Sequence, residues 1–210
     1  MSARHFVLAR ITEHVEPIER GERYEDPLAD FLKEHGLGEV TGGGSQLSSD
    51  GEIEFADIEM ELVNLDDAIS KVVRQLESMG APFGSSIQFD EGSGREALPF
   101  GRYEQLTIYL DGTGLPDSVY ETLDFNRVYR DLDQAVGREA GGQARSVWTG
   151  ATETAIHLAA PKADALERVV DAMWNTVPVF QNARLVLRYS DGRPNVERRL
   201  PLRDSSAGTA

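Results

Sequence analysis

Apolar residues recur along this chain with two different periods, and these periods predict both strands and amphipathic helices. Phe6 to Ile11 is apolar on both faces, as expected for a strand buried on both sides. From Leu65 to Met79, apolar residues recur every three or four positions and so form one helical stripe. Asn64 caps this helix, and Gly80 with Pro82 ends it.

The same order of elements is predicted twice along the chain. Residues Leu65 to Phe89 predict a helix, a proline turn and a strand, and residues Pro161 to Tyr189 predict the same series. Upstream, the glycine-rich run 38–43 is echoed by the run 137–142. Internal similarity of this kind indicates a duplicated architecture, although it does not indicate the chemistry.

Each half has the predicted order β-α-β-β-α-β, which is that of a ferredoxin-like unit. The fold class is therefore predicted to be α+β, with tandem ferredoxin-like repeats. Each repeat would have an antiparallel four-stranded sheet with two helices on one face. The predicted boundaries are 1–92 for the first repeat, 93–99 for a linker, 100–192 for the second repeat, and 193–210 for a tail. The end of that tail, 204–210, is expected to be disordered. The predicted strands are Phe6–Ile11, Gly38–Leu47, Glu52–Leu62, Ser85–Phe89, Tyr103–Leu110, Ala144–Thr149, Ala151–Ala159 and Ala183–Tyr189.

Three local predictions concern the first half. Asp26 and Pro27 are strong helix-start residues, so the first helix is predicted to begin there. The polar stretch Glu13 to Glu25 before it is predicted to be a loop. In the strand Glu52 to Leu62 the apolar residues change parity, and this change predicts a β-bulge near Ala56 and Asp57.

The charge of the 210-residue chain limits the classes of partner. It has 36 Asp and Glu against 21 Lys and Arg, a formal net charge of -15. Such a surface repels nucleic-acid phosphates and attracts basic partners.

The chain has no Cys, which excludes disulfides and thiol catalysis. No stretch approaches the roughly 20 apolar residues of a membrane span, and no signal peptide is recognisable. A cytoplasmic protein without membrane or nucleic-acid partners is therefore expected. Its basic residues are nearly all Arg, which is typical of a GC-rich bacterial genome.

Acidic residues alternate along one predicted strand. Carboxylates on one face of a strand could bind a divalent cation, but the calcium-loop pattern is missing and such rows are commonly solvated. We therefore predict no metal and no cofactor. A basic protein partner is a likelier use of this row than a metal. The predicted partner-binding residues are Glu52, Glu54, Glu59 and Glu61.

The run Gly42 to Ser45 has the composition of a phosphate-binding loop. A P-loop needs a Lys followed by Ser or Thr at the start of a helix, and neither follows here. The sequence therefore favours a glycine-rich bulge or turn over a phosphate site.

His157 is the histidine with the most interesting position. Aligning Ile156-His157-Leu158 with Ile58-Glu59-Met60 places His157 at the position equivalent to Glu59. If the two halves faced each other, Glu59 and His157 could form a catalytic acid–base pair. The alternative is an unremarkable polar position that faces solvent.

Strand aromatics give a second set of candidates. Tyr103, Tyr109 and Trp148 lie in predicted strands of the second half, where RNA-recognition domains stack bases. The basic residues such a domain needs are missing, so packing between the two sheets is the favoured role of these side chains.

Two function classes follow. The first is a non-enzymatic bacterial protein-binding module, such as an immunity- or antitoxin-type inhibitor of a basic protein. The alternative is a small-molecule-binding protein or enzyme with a pocket between the repeats, for which Tyr109, Trp148 and His157 are the candidate lining residues. Self-association into a homodimer is left open.

Overall fold

Ten strands form two antiparallel five-stranded sheets in the computed structural model, which describes residues 3–91 and 94–203. The first sheet belongs to a unit that ends at Tyr103, and the second to a unit that begins at Glu104. The strands are β1 (Arg4–Ile11), β2 (Gly38–Leu47), β3 (Ile53–Val63), β4 (Ser85–Glu91), β5 (Gly94–Phe100), β6 (Glu104–Asp111), β7 (Gln143–Thr149), β8 (Glu153–Ala160), β9 (Arg184–Arg188) and β10 (Val196–Arg199).

Helices occupy the two crossover connections of each unit. A π-helical turn, Gly21–Glu25, joins the first two helices, and a short 3₁₀ turn, Pro178–Phe180, precedes β9. Among the described residues, no helix has the length and apolar content needed to cross a bilayer. The helices are α1 (Pro17–Arg20), α2 (Asp26–His35), α3 (Leu65–Ser78), α4 (Asp117–Glu121), α5 (Phe125–Ala140) and α6 (Ala163–Trp174).

The two units have the same topology. The strand order is β2-β3-β1-β4-β5 in the first and β7-β8-β6-β9-β10 in the second, and every pair of neighbours is antiparallel. Without the fifth strand, each order is that of a ferredoxin-like split βαβ unit. The predicted tandem ferredoxin-like fold is therefore confirmed, with five strands in each sheet where the sequence predicted four.

The fifth strands correct the predicted boundaries. The segment 93–99 was expected to be a linker, but residues 94–99 belong to β5, which pairs with β4. The expected tail includes β10, which pairs with β9. Both are edge strands with mostly exposed side chains, so neither has the apolar alternation that marks a strand in a sequence. Residue 93 and the end 204–210 lie outside the described residues.

The glycine echo does not mark equivalent positions. The run 38–43 lies in β2, whereas the run 137–142 covers the end of α5 and the residues after it. The equivalent glycines are Gly36 and Gly141, which end α2 and α5 with φ of 61° and 62°. Both adopt the left-handed conformation that commonly terminates a helix.

The first crossover is helical over most of the stretch that was predicted to be a loop. α1 begins at Pro17, and the π-helical turn leads directly into α2. Pro27 has no amide hydrogen and cannot donate to the carbonyl of residue 23. The amide of Asp26 donates to the carbonyl of Gly21, five residues earlier, so the π turn changes the hydrogen-bond register next to the proline.

Each sheet buries one face beneath its helices. In the first unit Val7, Ala9 and Ile11 of β1 face the helices, opposite Met60, Ile58 and Ala56 of β3. Ile53 is also buried but out of phase, because the β2–β3 register passes from Phe55 to Ile53 and skips Glu54. The predicted bulge therefore exists, two residues before the predicted position. The two cores are separate clusters, built around Ile58, Met60, Val72 and Leu76 in the first unit and Ile108, Ile156, Leu166 and Val170 in the second.

A buried carboxylate ties three elements of the second unit together. Glu104, at the start of β6, is 1% exposed. It accepts hydrogen bonds from Lys162 Nζ (3.0 Å) and the Ala163 amide (2.8 Å) at the start of α6. It also accepts from the amide (3.2 Å) and hydroxyl (2.7 Å) of Ser190, after β9. Desolvation alone raises the pKa of Glu104, but these hydrogen bonds outweigh it and hold that pKa below its ordinary value.

We predict that Glu104→Gln destabilises the second unit by about 1–3 kcal/mol at neutral pH, because it leaves buried donors without a charged acceptor. The folded-state pKa lies below the unfolded one, so the stabilisation is present above the ordinary pKa and disappears as pH falls through the folded value. The variant should therefore lose less stability in acid than the native chain. Both tryptophans, Trp148 and Trp174, lie in this unit, so tryptophan fluorescence during urea unfolding reports it directly. Exposed Glu139→Gln is the control, and equal losses in both variants would contradict the prediction.

Candidate functional site

The negative charge of the chain is concentrated in the first unit. That unit has twenty-one Asp and Glu against nine Lys and Arg, whereas the second has fifteen against twelve. The first unit therefore carries most of the acidic excess, which the whole-chain composition could not show. The first unit is therefore the part of the chain where an acidic binding surface is expected.

The acidic row on β3 is largely paired with arginines of the neighbouring strand. Asp57, Glu59 and Glu61 alternate with buried residues and so lie on the sheet face away from the helices. Arg4 donates to Glu61 (3.0 Å) and also to Glu39 of β2. Asp57 receives two hydrogen bonds of 2.9 Å from Arg10. These ion pairs reduce the charge that the row presents to a partner.

The four predicted partner-binding residues therefore differ in environment. Glu52 precedes β3, its side chain is only 16% exposed, and one of its oxygens lies 3.4 Å from His14 Nδ1. Glu61 is paired with Arg4, Glu59 is half-buried, and Glu54 is exposed at the bulge. The predicted role of these residues in binding a partner stays a prediction.

A second acidic row, which the sequence analysis missed, lies along the helical segment before β2. Its four carboxylates are exposed and occupy successive turns from the π turn to the end of α2. Like charges four residues apart destabilise a helix by roughly 0.2–0.5 kcal/mol per pair, so helix stability does not account for the row. The spacing of four was visible in the sequence, but only Asp26, Asp30 and Glu34 fell in the predicted helix, because Glu22 lies in the predicted loop before it. The row, called here the α2 acidic stripe, consists of Glu22, Asp26, Asp30 and Glu34.

The glycine run 42–44 permits close packing over an edge strand. It lies in β2, and the chain continues into β3 rather than into a helix, so the arrangement differs from a phosphate-binding loop. The ion pair of Arg20 with Glu25 (2.7 Å) lies over Gly43, where an added Cβ would be 2.8 Å from the Asp57 carbonyl oxygen. An added Cβ at Gly42 would be 3.3 Å from a Glu59 oxygen. The β2–β3 register also skips Thr41, so the favoured glycine-rich bulge is present.

The second unit has a polar pocket of about 570 Å³ at one end of its sheet. Arg184 of β9 donates to Glu153 of β8 (2.8 Å), and its guanidinium lies 3.7 Å from the centre of the Tyr109 ring. The Glu153 hydrogen bond raises the pKa of Arg184. Asn182 donates to Asp111 (2.6 Å) across the same pocket. Tyr109, one of the predicted pocket residues, thus supports an arginine that lines a cavity.

Asp111 is held in its charged form. Desolvation raises its pKa, but the amides of Thr113 (2.9 Å) and Gly114 (2.7 Å), together with Asn182, outweigh that effect and lower it. Arg199 also lines the pocket and donates to the Asn182 carbonyl (3.1 Å). Two carboxylates and two guanidiniums in one pocket match a polar ligand that carries both charges.

The other predicted pocket residues lie elsewhere in the second unit. His157 is 4% exposed, and its Nδ1 is 3.1 Å from Thr107 Oγ1. Trp148 is half-buried in β7, with its indole against Gly150. Neither is among the described residues that line the polar pocket.

The alignment of His157 with Glu59 agrees with the strand registers. His157 is opposite Thr107 on β6, and Glu59 is opposite Leu8 at the corresponding place on β1. Glu59 belongs to the first unit and His157 to the second, and their proposed acid–base pairing stays a prediction.

No protein-family model and no curated protein sequence matches this chain. Among solved structures, it is similar to the regulatory subunit of aspartate kinase from Thermus thermophilus, with 17% identity, 80% of this chain and 92% of that chain covered, and a TM-score of 0.26. It is also similar to a protein of unknown function from Galdieria sulphuraria, with 14% identity, coverage of 90% and 98%, and a TM-score of 0.28. A mutant chlorite dismutase from Candidatus Nitrospira defluvii shares 11% identity, with coverage of 95% and 92% and a TM-score of 0.29. Similarity at this level carries no information on function.

We predict that Gly43→Ala destabilises the β2–β3 pair by about 1–3 kcal/mol, because the new methyl group would collide with the Asp57 carbonyl and the Arg20–Glu25 pair. Gly44→Ala is the matched control, since nothing lies within 4 Å of an added Cβ there. Hydrogen exchange of peptides covering β2 and β3 measures the effect. Equal protection in the two variants would show that the packing over Gly43 has no energetic role.

Proposed function

We propose that this chain is a non-enzymatic binding module whose first unit engages a basic protein partner. The observation that supports it is the concentration of acidic residues in the first unit, together with the exposed α2 acidic stripe. An excess of one charge sign on a surface attracts an oppositely charged partner. It can raise the association rate constant by a factor of about 10–10³. Such a surface therefore suits a protein that must capture its target quickly.

The particular form we propose is an immunity- or antitoxin-type inhibitor in a bacterial cytoplasm. Inhibitors of this type neutralise a toxic protein soon after it appears, so fast electrostatic capture serves the task. The absence of Cys from the sequence is compatible with a reducing compartment. A basic target would be recognised first by long-range attraction and then held by local contacts.

A second candidate function rests on the polar pocket of the second unit. Its lining by Asp111, Glu153, Arg184 and Arg199 supports binding of a small polar molecule that carries both positive and negative groups. This pocket lies within one unit, whereas the sequence analysis expected a pocket between the repeats. Calorimetric titration with amino acids and other zwitterions tests this candidate, and loss of any signal in Arg184→Met and Asp111→Asn would locate the site.

The binding function predicts a specific effect of charge removal on association. The quadruple variant Glu22→Gln, Asp26→Asn, Asp30→Asn and Glu34→Gln should slow association with the basic partner by about 10-fold at low salt. Its association rate should also depend less on ionic strength. The partner is first captured from a lysate of the native host and identified, and the rates are then measured by surface plasmon resonance.

The matched control removes the same number of exposed carboxylates from the second unit, at Asp117, Glu121, Glu139 and Glu197. It has the same net charge as the stripe variant, so only the location of the charge differs. Equal rate losses in both variants would contradict the proposed role of the first unit. Sedimentation velocity of the free chain shows separately whether it associates with itself.

A further inference from the structure

The first unit has an apolar groove of about 600 Å³ between α3 and the edge strand β5. Its floor consists of apolar side chains, of which Leu98 is 43% exposed. Its volume lies within the range of about 300–1,000 Å³ that is typical of ligand sites. The residues that matter for its chemistry are Asp66, Ile69, Val73, Phe89, Glu96 and Leu98.

The shared topology identifies the equivalent positions in the second unit. Leu98 pairs with Ile87 on β4, and Arg198 pairs with Leu185 on β9, so Leu98 and Arg198 are equivalent. The strand neighbours agree, because Ile87 pairs with Ala9 of β1 and Leu185 with the equivalent Ile108 of β6.

The helices give the remaining equivalences. α3 begins at Leu65 and α6 at Ala163, so counting from these starts matches Ile69 with Glu167 and Val73 with Asp171. By the same count, Asp66 is equivalent to Asp164.

In the second unit the charged side chains at these positions form ion pairs with one another. Arg198 donates to Glu167 (2.7 Å) and to Asp171 (2.6 Å), so a salt-bridged triad spans the space between helix and edge strand. In the first unit the same three positions carry Ile69, Val73 and Leu98. The first unit therefore has apolar side chains where the second has three charged groups that pair internally. Ile69 is buried, but Val73 is half-buried and Leu98 is 43% exposed. Exposed apolar surface of this kind commonly marks a site of interaction.

The charges around the groove indicate what would bind there. Among the described residues that line it, the charged ones are Asp66 and Glu96, and both are acidic. Asp164, the equivalent of Asp66, accepts two hydrogen bonds of 3.1 Å from the guanidinium of Arg193. The fold thus already shows a bidentate arginine contact at this position of the helix.

We propose that the α3–β5 groove binds a peptide segment of a protein partner, with an apolar side chain against Ile69, Val73 and Leu98 and an arginine beside Asp66 and Glu96. This inference rests on the proposed function for the class of partner and adds the chemistry of the contact. The acidic surface would attract the partner from a distance. The groove would hold it through apolar burial, which charge screening by salt does not weaken.

The test uses the full chain and two synthetic octapeptides with blocked ends. One carries Leu and Phe flanked by two Arg, and the other has Glu in place of each Arg. The backbone amide chemical shifts of residues in α3 and β5, followed by NMR, should change when the first peptide is added. The second peptide should bind at least ~10-fold more weakly. Leu98→Ser should weaken binding of the first peptide at least ~10-fold, because it removes an apolar contact that the bound peptide would bury.

Three further variants separate the contributions. The triple variant Ile69→Glu, Val73→Asp and Leu98→Arg transfers the salt-bridged triad of the second unit and should abolish binding. Asp66→Asn with Glu96→Gln should reduce the preference for the arginine peptide. Leu47→Ser removes another exposed apolar side chain, 52% exposed on β2, and should leave binding unchanged. If the triple variant fails to fold, Leu98→Ser alone still decides the question.

Equal binding of both peptides, or full binding by Leu98→Ser, would overturn the proposal. So would amide shifts with octyltrimethylammonium but none with the arginine peptide, since the groove would then accept a cationic amphiphile rather than a protein segment. Peptide binding at the groove without any basic partner in the host would support the groove and reject the proposed function. If the rate of association with the basic partner depends on the α2 acidic stripe but not on Leu98, the proposed function is supported and the proposed groove site is rejected.

Discussion

The antiparallel pairing of β1 with β3, repeated by β6 with β8, is the interaction on which the rest of this structure depends. It places Val7 beside Met60 and Leu106 beside Leu158 at the centre of each sheet, where both contribute to the core beneath the helices. Because side chains alternate along a strand, burying this face fixes which residues lie on the other one. The positions of the candidate chemical groups follow from that choice.

This constraint explains why the β3 carboxylates and the arginines of β1 meet. Asp57 and Glu61 lie on the face away from the helices, and Arg10 and Arg4 reach them from the adjacent strand. The ladder therefore neutralises much of the row that the sequence presents as acidic. The four carboxylates of the α2 acidic stripe are all exposed, so the stripe adds negative charge that the ladder does not neutralise.

The duplication gives the molecule an internal comparison. Two units of one topology have diverged in charge and in how the space beside the edge strand is filled. Arg198 closes that space in the second unit through ion pairs, while Leu98 leaves an apolar groove in the first. The polar pocket around Arg184 lies in the second unit. A common fold thus supports different surfaces, which is why fold similarity alone says little about function.

The sequence by itself determined the central elements, because α3 and the inner strands bury one face and therefore carry a period that can be read from residue order. It also determined the repeat of the βαββαβ unit and the total charge. The tertiary structure decided the edge strands β5 and β10 and the pairing of Arg10 with Asp57. The physical reason is that each of these depends on partners distant in sequence: an edge strand gains its hydrogen bonds from one neighbour without burying its side chains, and an ion pair across a ladder depends on register.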